Sequence, residues 1–208
     1  AVTYSTFSAV TRAWQRGLVL SEDLHHGDFV MEQLVSGLRA ARYRGPADGF
    51  WLLDGGSGPG ARDVISWVKE GAELVGEESG VAKSYHRVRF GVLETPPDNK
   101  PRAAVTAWGD EYLQPDEFDP AELVPLALSS RIVGFDCRVA TNNMETDSDE
   151  LIWLDTWEEK LGGTDNQSNH VPRYVELTLY LEPLDKDEEP VAMKRCVEIP
   201  LAGRAGMR

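Results

Sequence analysis

The sequence predicts an α+β fold in which one long N-terminal α-helix packs on antiparallel β-sheets. Residues 2 to about 43 contain no proline and place apolar side chains at spacings of three and four. Residues 174–181 instead alternate strictly between polar and apolar. The stretches between such runs are acidic and carry proline and glycine, as connections do. No internal repeat or linker divides the chain, so a single domain is expected, with a helix over 1–44 and a strand-rich body over 45–208.

The helix comes first. Phe7, Val10, Trp14 and Leu18 form a narrow apolar stripe suited to partner helices, and Met31, Leu34, Leu38 and Ala41 continue the spacing. The stop is read at Arg42 and Arg44, which complement the dipole, followed by Gly45 and Pro46. The start is not marked, since the pattern is already running at the first residues. A helix of about 40 residues would span roughly 60 Å. Gly17, Gly27 and Gly37 each cost about 1 kcal/mol relative to alanine, so packing must compensate or the helix bends.

The strands follow from Tyr85 onward. Val88, Phe90 and Val92 share one face of a first run, and Val133, Phe135, Cys137 and Val139 share one face of a second. Val175, Leu177, Leu179 and Leu181 alternate with Tyr174, Glu176, Thr178 and Tyr180 in a third, and 191–200 forms the last. Such alternation marks antiparallel sheets with one solvated face. Connections are expected at 94–101, 110–120, 142–150, 161–172 and 183–190, and a short helix-like stretch near Pro120–Leu128.

Composition narrows the function. The 208 residues carry 21 Lys+Arg against 35 Asp+Glu, a net charge of −14. That charge argues against a nucleic-acid binder, which needs a basic face, and disfavours anionic lipid. With 41% hydrophobic and 27% charged residues the chain can bury a core. Two cysteines exclude a disulfide-dense scaffold and a cysteine-rich zinc module. No apolar run reaches the roughly 18–20 residues of a membrane span.

No constellation for catalysis or metal binding emerges. His25 and His26, with Glu22 and Asp28, offer at most two converging ligands and read as a solvated helix face. The acidic loops 145–150 and 185–189 lack the spacing of a calcium loop. Ser57 lacks the glycine placement of a nucleophile elbow. Trp153 and Trp157 read as core or edge packing. Cys137 falls on an apolar face and Cys196 on the opposite, polar face of its strand, so the two sulfurs are expected to point apart.

The ordered segments resemble a J-type minor pseudopilin of the type II secretion system, over nearly the whole chain. They run from 29–39 in the helix through Asp63-Val64-Ile65-Ser66-Trp67, His86-Arg87-Val88-Arg89-Phe90 and Val133-Gly134-Phe135-Asp136. The Trp153/Trp157 pair, 171–179 and Arg195-Cys196-Val197-Glu198-Ile199-Pro200 complete the order. The resemblance implies a pilin-like fold and a non-catalytic, cofactor-free subunit of the pseudopilus tip that assembles with other minor pseudopilins. It implies a periplasmic domain anchored in the bacterial inner membrane before assembly, and a helix whose membrane half precedes Ala1. The stripe Phe7, Val10, Trp14 and Leu18 would be the partner interface.

A local rival exists. Leu52-Leu53-Asp54-Gly55-Gly56-Ser57-Gly58-Pro59-Gly60 resembles motif I of S-adenosylmethionine-dependent methyltransferases. It implies a strand at 50–53, cofactor-binding residues Asp54, Gly56, Gly58 and Gly60, a helix from Ala61, and Glu78 on the ribose. Residues 61–70 separate the two readings, helix for the enzyme and strand for the pilin relative.

Overall fold

The computed structural model describes residues 24–43, 49–109, 123–142, 151–157, 171–183 and 187–200. Nine strands are present among the described residues: β1 (Trp51–Leu53), β2 (Val64–Lys69), β3 (His86–Thr95), β4 (Lys100–Gly109), β5 (Leu126–Ser129), β6 (Ile132–Asn142), β7 (Leu151–Leu154), β8 (Tyr174–Leu181) and β9 (Val191–Glu198). They build two antiparallel sheets, ordered β1-β2-β3-β4-β5 and β7-β6-β8-β9. Residues 24–39 form α1, the one α-helix among the described residues. The expected α+β, pilin-like architecture is therefore corrected: the fold is mostly antiparallel β, not sheets packed on a long helix.

Two local features account for the difference. Five strands, β1, β2, β4, β5 and β7, lie where no alternation announces them. The helix also stops before the expected Arg42, because the chain joins the first sheet. Ala41 bridges Lys69, and the Arg42 amide donates to the Val68 carbonyl at 2.8 Å. Arg42 pairs with Glu70 at 3.2 Å. Residues 1–23 of the expected helix, and Arg44, Gly45 and Pro46, lie outside the described residues.

Register assigns the faces. Residues directly opposite in an antiparallel pair share a face. On the first sheet Leu52, Ile65, Trp67, Val88, Phe90 and Val105 face inward; on the second, Phe135, Cys137, Val139, Val175, Leu177, Leu179 and Leu181 do. The two inner faces meet in one apolar core, where the Phe90 and Phe135 rings pack edge to face with centroids 4.9 Å apart. The second predicted run is off by one at its start. A register shift between Ile132 and Gly134 buries Ile132 and leaves Val133 half-buried.

Val30, Met31, Leu34 and Leu38 of α1 complete that core. Of the helix glycines expected to cost stability, Gly27 and Gly37 sit at close contacts; Gly17 lies outside the described residues. A methyl on Gly37 would lie 3.1 Å from Leu74 and 3.3 Å from Trp67, and the buried Trp67 indole donates to the Gly37 carbonyl at 2.9 Å. Gly27 faces Met193 and Leu181 in the same manner. Among the described residues no helix is long and apolar enough to cross a membrane.

Candidate functional site

The glycine-rich segment is a clasp between the two sheets. β1 enters it and β2 leaves it antiparallel, with Leu53 opposite Val64, so a strand follows where motif I requires a helix. This overturns the methyltransferase geometry at Asp54, Gly56, Gly58 and Gly60. Gly56 and Gly58 hold positive φ, which glycine adopts without strain, and Gly58–Gly60 form a single 3-10 turn. Glu78 stands exposed in a turn ahead of the 3-10 segment Gly80–Lys83.

The clasp closes on β6. The Asp63 amide donates to the Phe135 carbonyl at 3.1 Å, and the Phe135 amide donates to Ala61 at 3.0 Å. Arg62 donates to the Val133 carbonyl, and the Gly58 amide reaches Asp136. Gly134 is glycine because any side chain there would overlap the Pro59 carbonyl. At the centre lies buried Asp63, accepting the Gly55 and Cys137 amides at 2.7 Å each. Burial pushes its carboxyl up to about 6; the two amides pull it down, and the charges of Asp136 and Asp54 push it up further. Both its oxygens are engaged by backbone donors, so Asp63 holds the clasp together rather than presenting a base to a cleft.

A different feature stands out on the surface. The large apolar side chains that are exposed among the described residues are Phe29, Trp51, Leu53, Val124, Leu126, Ile152, Leu154 and Val191. Six of these eight lie on edge strands: Trp51 and Leu53 on β1, Leu126 on β5, Ile152 and Leu154 on β7, Val191 on β9. Val124 lies two residues before β5, Phe29 is on α1, and none is on an interior strand.

Their faces give this distribution its meaning. Leu126 is opposite Val105, Leu154 opposite Val139 and Val191 opposite Leu181, so all three belong to the inner, core-forming faces. At these edges the apolar faces extend beyond what covers them. Edge strands ordinarily carry charge, proline or bulges that discourage pairing. β9 does so through Arg195, an exposed cation on the inner face opposite Leu177, whereas the exposed positions of β7 are Ile152 and Leu154. The edge of β1 is partly occupied, because Leu52 and Trp157 exchange amide bonds of 2.9 and 3.0 Å and so join the sheets.

The other sequence candidates separate. Phe7, Val10, Trp14 and Leu18, the acidic loop 145–150 and residues 184–186 lie outside the described residues. His25 and His26 are exposed on α1, and no metal-binding group of three or more ligands occurs among the described residues. Trp157 is core; Trp153 lies under the Arg138 guanidinium, 5.8 Å from it, and Arg138 also pairs with Asp155 at 2.8 Å. Cys137 is buried and Cys196 exposed, both as free thiols, and β8 lies between their strands. The expected face assignment of the two cysteines holds. Burial raises both thiols, Cys137 far more than Cys196.

Sequence reasoning missed the edge residues for a definite reason. An apolar side chain on an inner face looks the same in sequence whether or not a neighbour covers it; only sheet order shows which strands are edges. No protein-family model matches the chain, and no curated protein is similar to it at a significant level.

Proposed function

We propose that this chain is a non-catalytic assembly subunit of the type II secretion pseudopilus tip, working on the periplasmic side of the bacterial inner membrane with other minor pseudopilins. The observation that carries the reading is the confinement of exposed large apolar side chains to sheet edges, their margins and α1. Apolar surface on a strand edge favours lateral contact, since a neighbour removes it from water at about 25 cal/mol per Å². The ordered resemblance of segments from 29–39 to Arg195–Pro200 names the assembly. Phe7, Val10, Trp14 and Leu18 then supply a second contact to partner subunits, and no cofactor is needed.

The test is made in the source bacterium. Deleting the chain should stop export of type II secretion substrates, and the wild-type gene should restore it. A gene carrying Leu126→Lys and Leu154→Lys should restore the protein but not export. Undiminished export after deletion would overturn the assignment to this machine.

A further inference from the structure

Where β2 and β3 end beside α1, the inner face of the first sheet carries titratable side chains in place of apolar ones. Lys69 and His86 are directly opposite in the register, and both are 0% exposed. The Lys69 ammonium donates to the Gly71 carbonyl at 2.7 Å and forms an ion pair with Glu73 Oε2 at 3.0 Å. The 70–76 turn is thereby wrapped around one buried cation.

That turn also holds the helix. The Leu74 amide donates to Gln33 Oε1 at 2.9 Å, and the Leu74 side chain packs against Gly37. Leu74 adopts φ 70, a left-handed conformation that a non-glycine residue keeps only when its surroundings enforce it. The Ala41–Lys69 bridge and the Arg42–Glu70 pair fasten the chain just after the helix to the same place.

We propose that Lys69, Glu73 and His86 form an acid-sensitive latch that fastens the 70–76 turn, and with it the C-terminal end of α1, to the first sheet. His86 is the sensor. Its Nδ1 lies 2.9 Å from the Ser84 carbonyl, which can only accept, so Nδ1 carries the proton and Nε2 presents a lone pair. Nε2 is buried and has no hydrogen-bond partner among the described residues.

A proton from solvent arriving at Nε2 creates a second cation facing Lys69. Glu73 is then drawn toward His86 and away from the ammonium it holds, or the imidazolium leaves the site. Either change releases the turn. Several groups among the described residues act on the ring. Burial pushes His86 below its ordinary value, as does the Lys69 charge; the Ser84 and Val81 carbonyls and Glu73 act in the other direction. β4 places uncharged Gly109 opposite it.

The sign follows from proton linkage. The closed latch binds a proton on His86 less readily than the open form does. Opening is therefore unaffected well above the ordinary histidine value of about 6.5, and becomes up to about tenfold easier for each pH unit below it. Asp63, raised to about 6, acts oppositely on global stability, so the readout must be local.

The measurement is the hydrogen-exchange protection factor of the Leu74 amide itself, against its intrinsic exchange rate, at about pH 7 and about pH 5. Wild-type protein should lose Leu74 protection between the two, by up to about tenfold per pH unit below about 6.5, and His86→Gln should lose none. The second readout needs no variant: the His86 ring, followed by NMR, should titrate below about 6.5 as Leu74 protection falls. Leu74 protection that stays constant in the wild type, or a ring that titrates at or above 6.5, would overturn the latch.

Discussion

Replacing Gly134 by alanine sets strand propensity against the packing of the clasp. Propensity alone makes alanine better than glycine within a strand by about 0.5–1 kcal/mol. The structure demands the reverse. The added methyl would overlap the Pro59 carbonyl oxygen and sit 3.2 Å from the Tyr180 ring. The Pro59 oxygen is backbone and cannot swing aside. It lies in a 3-10 turn closed by the Ala61 amide on Gly58 at 2.9 Å and tied to β6 through Ala61, Phe135 and Asp63. Crowding a packed site costs about 1–3 kcal/mol. Lifting the loop also stretches the amide bond from Cys137 to the Asp63 carboxylate, a contact of the class worth about 1.5–3 kcal/mol. Gly134→Ala should therefore destabilise the protein by about 2–4 kcal/mol net. With an m-value of about 2 kcal/mol/M, the urea midpoint falls by about 1–2 M. Gly60→Ala is the control, since a methyl there meets nothing within 4 Å. Its midpoint should stay close to wild type. A Gly134→Ala midpoint equal to or above wild type would refute the clasp, because propensity would then have won.

Asp63 gives a second prediction, in pH. Its carboxyl sits at about 6 against an ordinary 3.8, so the folded state binds the proton more tightly than the unfolded chain. The stability this adds is complete below about 3.8 and is lost as pH rises through about 6. Wild type should gain on Asp63→Asn by up to about 3 kcal/mol between about pH 7 and about pH 4 in parallel denaturation series. A difference independent of pH would contradict the burial of this carboxyl. The thiols give a third. Without reductant, one thiol, Cys196, should react in native protein and two should react in denaturant. Finding no thiol in denaturant would show that the cysteines pair.

Much of the second sheet was legible, and most of the first was not. β8 is buried on one face only, and its alternation from Tyr174 to Leu181 survives in the burial pattern residue by residue. β2 is the opposite case. Val64–Lys69 has both faces covered, with Ile65 and Trp67 in the core and Ser66 and Val68 buried behind, so no alternation exists to be read. β4 hides its strand character in small residues, Ala103 and Ala104, that fill space without a hydrophobic signal. β1, β5 and β7 are three or four residues long, too short for a period to register. Strands at 50–53 and 61–70 enter only through the two resemblances, so periodicity alone under-counts the strands and the helix dominates the α+β expectation. Its end was misplaced because Ala41 and Arg42 obey pairing with β2 rather than the glycine and proline beyond them. The clasp was visible as a glycine-rich segment, but its purpose depends on contacts from Asp63 to Cys137, 74 residues away in sequence.

The edges put the assembly role to its most direct test. On the proposed role, the chain should bind minor pseudopilins of a type II secretion system from the same organism, and titration with their soluble domains by sedimentation velocity measures this. Leu126 and Leu154 are 53% and 37% exposed, so lysine at both should alter folding stability only slightly. Wild type is expected to form a complex, and Leu126→Lys with Leu154→Lys is expected to bind at least about tenfold more weakly, with an unchanged thermal transition. No complex with any of these partners, or a complex indifferent to both substitutions, would contradict assembly through the sheet edges.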